Sequence, residues 1–251
     1  MRTRKLMNLL LIGIILATAM LSSCSKEDDP TPDNPDYSDA KGEFKDTRDS
    51  KVYKWVKIGE QVWMAENLNF TGSGIQHITD GSEWYNNEDY DGWCYYENNE
   101  NYGNTYGVLY QWEAAKKACP SGWHLPTDEE WTQLENYLEE NGYSYDGVVG
   151  NSGIAKSLAT DNGWKISDSK GAVGNSDYSE MRNKTGFSAL PSGDRDNIGD
   201  FGYLGSYGGW WSATENGSNY ANIRSLFYSY TGVSRGGYNK SSGISVRCVR
   251  D

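Results

Sequence analysis

The chain has 251 residues, with 35 acidic against 23 basic side chains and a formal charge of −12 at pH 7. Such a surface repels phosphate backbones and anionic headgroups, which sets aside nucleic-acid binding and direct binding to an anionic membrane surface. The length suits one domain of about 200 residues with non-globular sequence beside it.

Arg2, Arg4 and Lys5 form a basic start, followed by the apolar run LLLIGIILATAM and then LSSC, which ends at Cys24. The run is too short for a lasting membrane span. A small-residue LxxC at this place resembles a bacterial lipobox, which implies a signal peptide over 1–23 and lipidation of Cys24. The SKEDD that follows resembles the export tag of surface lipoproteins in Bacteroidetes-type bacteria, so the expected location is the outer-membrane surface, with the lipid as the only membrane contact. Residues 24–50 carry Pro30, Pro32 and Pro35 with repeated acids and little apolar weight. They cannot bury enough surface to offset their ordering entropy, so a flexible tether is expected there and a folded domain over 51–251.

VYKWVKIGEQVWMAENL reads as two strands around a Gly turn, with Val52, Trp55, Ile58, Val62, Trp63, Met64 and Leu68 as apolar weight. Cys94, in DGWCYYEN, is expected to be an unpaired, partly buried thiol. From Tyr106 the spacing of Leu109, Trp112, Ala115 and Ala118 or Cys119 predicts a helix, stopped by Pro120 and Gly122. GWHLP follows as a strand or turn that drops Trp123 and Leu125 into the core. His124 has no partner His or Cys at metal-ligand spacing and is expected to be structural. Thr127 with Glu130 forms a capping box for a second helix, whose buried stripe is Trp131, Leu134 and Leu138 and whose end is Asn141-Gly142.

Beyond Gly142 the chain is rich in loops. Asp194, Asp196 and Asp200 lie in one of them without the bidentate Glu of an EF-hand. They are read as solvated loop acids, with a structural Ca²⁺ site as the minority alternative; no cofactor is expected. GGWWSATE opens a strand with Trp210 and Trp211 in the core, and ISVRCVRD is a final alternating strand. Three of the four cysteines, Cys94, Cys119 and Cys248, leave room for one disulfide. A position after a helix and a position in the last strand favour Cys119 with Cys248, closing a loop of about 130 residues worth roughly 3–5 kcal/mol.

WMAENL, YGVLYQWEAAKKACPSGWHLPTDEEW, GFSALPSGDRD, GWWSATE and SVRCVRD, in that order and spacing, resemble the Fibrobacter succinogenes major paralogous domain family over about Val52 to Asp251. The resemblance implies an α+β, C-type lectin-like fold: two helices packed on small antiparallel sheets with long loops. W-x-x-A-x-x-x-C and L-P-x-x-x-E-W would be its paired helices, and Cys119–Cys248 its long-range disulfide. GWHLPTDEEW also resembles the formylglycine-generating enzymes. Their catalytic cysteines have one counterpart here, Cys248, which the same disulfide would consume, so no enzyme activity and no catalytic residue is expected. The E-P-N, Q-P-D and W-N-D strings of Ca²⁺-dependent sugar-binding lectins are missing, so sugar binding does not come with the fold.

Residues 216–239, NGSNYANIRSLFYSYTGVSRGGYN, hold Asn, Gly, Ser and Tyr four times each and no Lys, Glu, Gln, Trp or Met. Antibody loops use this mix to meet arbitrary partners. Some lipoproteins that resemble this chain carry, just before the fixed last strand, a region rewritten by diversity-generating retroelements. Adenine mutation of AAY codons there cannot produce the five missing types. Alternation in ANIRSLFYSY separates Arg224, Leu226 and Tyr228 from Ile223, Ser225, Phe227 and Ser229; the resemblance implies that the first set is the fixed framework face and that the second faces outward. The expected contact set is Tyr220, Ile223, Ser225, Phe227, Tyr230, Ser234, Gly236, Gly237 and Tyr238. The function expected is non-catalytic recognition or adhesion at the cell surface, with an extracellular protein or glycan as partner. The alternatives are a glycan-binding module, an enzyme of the formylglycine-generating kind and a structural subunit of a surface assembly.

Overall fold

A computed structural model describes residues 40–251. The expected signal segment, Cys24 and the expected tether as far as residue 39 lie outside the described residues. The folded region begins before residue 51. Lys41–Lys45 (β1), read from composition as tether, pairs along its whole length with Val52–Ile58 (β2) in antiparallel register. KGEFK has a single large apolar side chain, so nothing local marks it as a strand. It is recruited by pairing, and Phe44 stacks on Trp123 at 4.5 Å between ring centroids.

The Gly59 turn, at φ +61°, leads to Gln61–Met64 (β3). A smaller sheet combines Gln76–His77 (β4), Gly92–Cys94 (β5) and Leu109–Tyr110 (β6), with the short helices Gly81–Tyr85 (α1) and Glu100–Tyr106 (α2) around it. The helix expected from Tyr106 starts six residues later, at Trp112–Ala118 (α3). Gly107 is the reason. It ends α2 at φ +76°, and a Cβ there would stand 2.7 Å from the Leu68 carbonyl oxygen. The apolar spacing of Leu109 and Trp112 reflects burial on both sides of a strand-to-helix junction.

Trp123–His124 (β7) precedes Asp128–Glu140 (α4), where the capping box is complete: Thr127 Oγ1 accepts from Glu130 N, and the Glu130 carboxylate accepts from Thr127 N. Trp131, Leu134 and Leu138 are its buried stripe. Ala155–Leu158 (α5) and long loops lead to the Asp194–Arg195 (β8) and Phe201–Gly202 (β9) hairpin. Then come Tyr207–Glu215 (β10), Tyr220–Phe227 (β11) and Ser234–Asn239 (β12), an antiparallel meander. The last strand, Val249–Arg250 (β13), inserts between β3 and β7 and completes a five-stranded sheet.

Every residue from Lys240 to Val249 is buried. This segment bridges Tyr110 through Ile244, Arg195 through Gly243 and Trp210 through Ser245, and so touches each sheet in turn. Cys248 is bonded to Cys119, with 6.0 Å between their Cα atoms and a sequence separation of 129.

Along most of their length β10 and β11 are buried on both faces, while Arg235–Gly237 of β12 are exposed. Trp211 and Ile223 pack into one cluster with Trp112 and Val246. Trp210 and Leu226 pack into another with Trp131 and Phe187. On the second face Arg224 is locked between Asp128 Oδ1 (2.5 Å) and Glu135 Oε1 (2.6 Å) of α4, and Arg235 of β12 meets the other Glu135 oxygen at 2.9 Å.

The disulfide closes the longest loop in the described chain onto its central segment. The Cys119→Ser, Cys248→Ser double variant should therefore lose roughly 3–5 kcal/mol, which lowers the thermal midpoint by about 6–20 °C for a domain of this size. A calorimetric scan under non-reducing conditions measures it; an unchanged midpoint would remove the cross-link from the account of stability.

Candidate functional site

The structure divides the expected contact set. Ile223 is 5 % exposed and Ser225 is buried as well. Both faces of β11 are covered, so strand alternation cannot turn either residue outward, and the expectation for them is corrected. Tyr220 is exposed, but it starts β11 and lies roughly 20 Å from Phe227 at ~3.3 Å per residue. Gly236 and Gly237 are exposed on β12, Ser234 is half-buried, and none of the three carries a contact group of any size. Phe227, expected to be exposed, is half-buried because it packs against the Trp211 cluster.

Phe227 and Tyr230 do meet, at 5.3 Å, and they extend a row that the sequence did not disclose. Tyr207 lies 5.1 Å from Phe227, and Tyr203 lies 6.3 Å from Tyr207. The outer rings, Tyr203 and Tyr230, are 66 % and 57 % exposed. Tyr207 is buried between them, its ring lying where a Cβ on Gly209 would meet its hydroxyl at 2.3 Å. Glycine at 209 is thus what lets the row lie flat on the sheet. Tyr203 holds φ +63°, a conformation rarely adopted by a bulky residue. Its carbonyl accepts from Ser206 N, Ser206 Oγ and Tyr207 N, which fixes the turn that presents the ring.

Beneath the row sits an acid. Asp194 is buried, and its Oδ2 accepts from Tyr238 Oη at 2.5 Å. This overturns the reading of Asp194 as a solvated loop acid. Desolvation raises its pKa to about 6, against the pull of the Tyr238 hydrogen bond, with Asp196 adding to the rise. Asp196 itself organises the loop: its Oδ1 accepts from Ile198 N and Asp200 N. Among the described residues no group of three or more His, Cys, Asp or Glu is placed to hold a metal ion.

His124 donates from both ring nitrogens, Nδ1 to Asp251 Oδ1 (2.5 Å) and Nε2 to Glu130 Oε1 (2.8 Å). Burial alone lowers its pKa, but the bonds to Asp251 and Glu130 outweigh burial and the net shift is upward. The imidazolium therefore clamps the last strand to the start of α4. Cys94 is unpaired and fully buried, and burial pushes its thiol up to about 12.

Two concavities lie apart from the aromatic row. One, of about 690 Å³, runs along α4 and is lined by Glu60, Asp128, Glu129, Tyr137 and Glu140. The other, of about 370 Å³, lies between the strand side of β2 and the end of α2, and is lined by Lys51, Lys54, Asn69, Asn104, Thr160 and Ser188 among others.

Asp194 binds its proton more tightly folded than unfolded. Its contribution to stability is therefore full below its unfolded value, near 4, and is lost as pH rises through about 6. Unfolding free energy should fall by about 2–3 kcal/mol from this group between about pH 4 and about pH 7.5. Asp194→Asn should flatten that part of a urea-denaturation profile; an unchanged slope would place the titration elsewhere.

No curated protein and no solved structure matches the chain. The family model of the Fibrobacter succinogenes major domain matches residues 56–250, from the second strand of the large sheet to its last, and the chain belongs to that family.

Proposed function

We propose that this protein is a non-catalytic recognition module, held at the outer-membrane surface by a lipid on Cys24, with a C-type lectin-like domain that grips an extracellular protein or glycan. The observation that carries the reading is the row Tyr203–Tyr207–Phe227–Tyr230. A soluble surface gains nothing from presenting two tyrosine rings on a strained turn and a loop, braced by two packed aromatics, unless something covers them. Ring faces with hydroxyls at their tips suit stacking against apolar side chains or sugar rings alike, and anchors of this type dominate binding energy at interfaces. The contact residues are thus Tyr203, Phe227 and Tyr230, with Tyr238 behind them, in place of Ile223 and Ser225.

A catalytic reading finds less support. Cys248, the one counterpart of a formylglycine-type catalytic thiol, is bonded to Cys119, and the Cys94 thiol is buried and hard to ionise.

Surface capture from the native habitat, using the lipid-free chain as bait, tests the reading. The Tyr203→Ala, Tyr230→Ala double variant should lose at least about tenfold in affinity for the captured partner, with an unchanged thermal midpoint because both rings face solvent. Equal capture by both proteins would refute a contact role for the row. In cells, Cys24→Ser should move the protein from the membrane fraction to the soluble fraction; retention in the membrane would refute the lipid anchor.

A further inference from the structure

Arg247 is fully buried, and no carboxylate of the described residues lies within ion-pair distance of it. Its Nη1 donates to the Phe187 carbonyl, its Nη2 to Asn67 Oδ1 (2.8 Å) and the Ser188 carbonyl (3.2 Å), and its Nε has no partner. The guanidinium lies over the Phe187 ring at 4.3 Å. Burial pulls its pKa down to about 9, with Glu66 pulling weakly the other way, so the group is charged at neutral pH. An interior cation without a counter-ion projects its field through the nearest wall. The 370 Å³ cleft adjoins it, because Asn67 and Ser188, which hold Arg247, also line that cleft.

Lys51 and Lys54 line the cleft, each loosely paired with one acid, Lys51 with Asp49 at 3.6 Å and Lys54 with Glu66 at 3.9 Å, and Lys51 Nζ also donates to the Asn69 carbonyl. Two lysines matched by two acids leave Arg247 as the uncompensated charge beside the cleft. The rest of the lining is amide and hydroxyl: Asn69, Asn104, Thr105, Thr160 and Ser188. Asn69 donates from Nδ2 to the Gly103 carbonyl, while its buried Oδ1 has no donor, a deficit that a hydroxyl entering the cleft would relieve. Ser188 stands at φ +59°, the kind of backbone strain found at ligand clamps.

We infer that this cleft binds a small polyhydroxylated carboxylate, a sugar acid, with its carboxylate toward Lys51 and Lys54 and its hydroxyls on the Asn and Thr side chains. The volume lies at the small end of ligand sites, which fits a single ring. A carboxylate neutralises the field of Arg247 without entering the core, and the amide wall distinguishes a hydroxylated acid from a bare one. The site shares no residue with the aromatic row, so either can stand without the other.

Calorimetric titration of the lipid-free chain with glucuronate, galacturonate, galactose, acetate and a trigalacturonate tests it. At least one uronate should bind at one site per chain, about tenfold or more tighter than galactose and acetate, and should weaken with salt. Trigalacturonate binding as well as or better than the monomer assigns the source as a polysaccharide end; monomer-only binding assigns it as the free acid. Lys54→Met and Thr160→Val should each weaken the uronate by about fivefold or more with thermal midpoints unchanged. The Tyr203→Ala, Tyr230→Ala variant should bind it as the wild type does. The proposal fails if neither uronate exceeds galactose and acetate, if both cleft variants bind normally, or if the aromatic-row variant abolishes binding.

Discussion

The interaction on which the rest of the molecule depends is the burial of Arg247. A guanidinium removed from water costs several kcal/mol unless its donors are met, and here carbonyl dipoles and an amide oxygen meet Nη1 and Nη2 in place of a carboxylate, while Nε goes unmet. That solution demands a fixed backbone. The carbonyls of Phe187 and Ser188 must both point inward, which places Ser188 in the left-handed region, with Asn183 bonded to Ser188 N and Oγ to hold it there. Asn67 must present its oxygen to both Arg247 and the Trp210 indole, and its Nδ2 donates to the Tyr106 carbonyl. The five sequence motifs thus meet at one point. WMAENL supplies Asn67, the long helical motif opens with Tyr106, GFSALPSGDRD supplies Phe187 and Ser188, GWWSATE supplies Trp210, and SVRCVRD supplies Arg247 itself.

From that point the order propagates outward. The loop that carries Ser188 continues to Leu190, whose carbonyl oxygen lies where a Cβ on Gly208 would be, at 2.3 Å. Only a glycine lets β10 approach so closely, and the approach sets where β10 begins. Tyr207, one residue earlier, is thereby placed under Phe227, and the row of rings follows. On the opposite side of the sheet Arg224 and Arg235 converge on Glu135, so α4 and two strands share one carboxylate. A buried network of this kind adds little net stability but penalises any other register of β11 against α4.

The parts of this architecture that were legible in the sequence are those encoded locally. The Thr127–Glu130 box and the Trp131, Leu134, Leu138 stripe specify α4 because capping and period act within a few residues. The Cys119–Cys248 pair was reachable because one thiol follows a helix and the other sits in the last strand. What was hidden depends on distant partners. KGEFK becomes a strand only because β2 lies alongside it. The run from Tyr106 mimicked a helix because a strand and a helix, joined at a glycine-dependent turn, happen to bury residues three apart. The outward face assigned to Ile223 and Ser225 failed for a related reason: alternation separates two faces but cannot say that both are covered. Tyr203 and Tyr207 escaped notice because one lies in a Gly-rich loop and the other opens β10, 20 or more residues before Phe227 and Tyr230; a bulky residue amid turn-forming glycines was the one available hint.

The burial of Lys240–Val249 also limits where the surface can change. Arg224, Leu226 and Ile223 are held by α4, Phe187 and the Trp211 cluster, so a substitution at any of them would disturb the central segment through its neighbours. Gly236 has open space around its missing Cβ, and Arg235 is exposed beyond its contact with Glu135. Tyr230 and Gly232 sit in the turn between β11 and β12, outside both clusters. Sequence variation can therefore be absorbed at Tyr230, Arg235 and Gly236 with little cost to folding, whereas Ile223, Arg224 and Leu226 must stay as they are, as must Val233, which packs against the second cluster. A recognition surface built this way separates its duties by position along one hairpin. In the proposed reading the strand that enters the core carries the fold and the turn that leaves it carries the contact, while the buried Tyr207 ring couples the two by bracing the exposed rings from below.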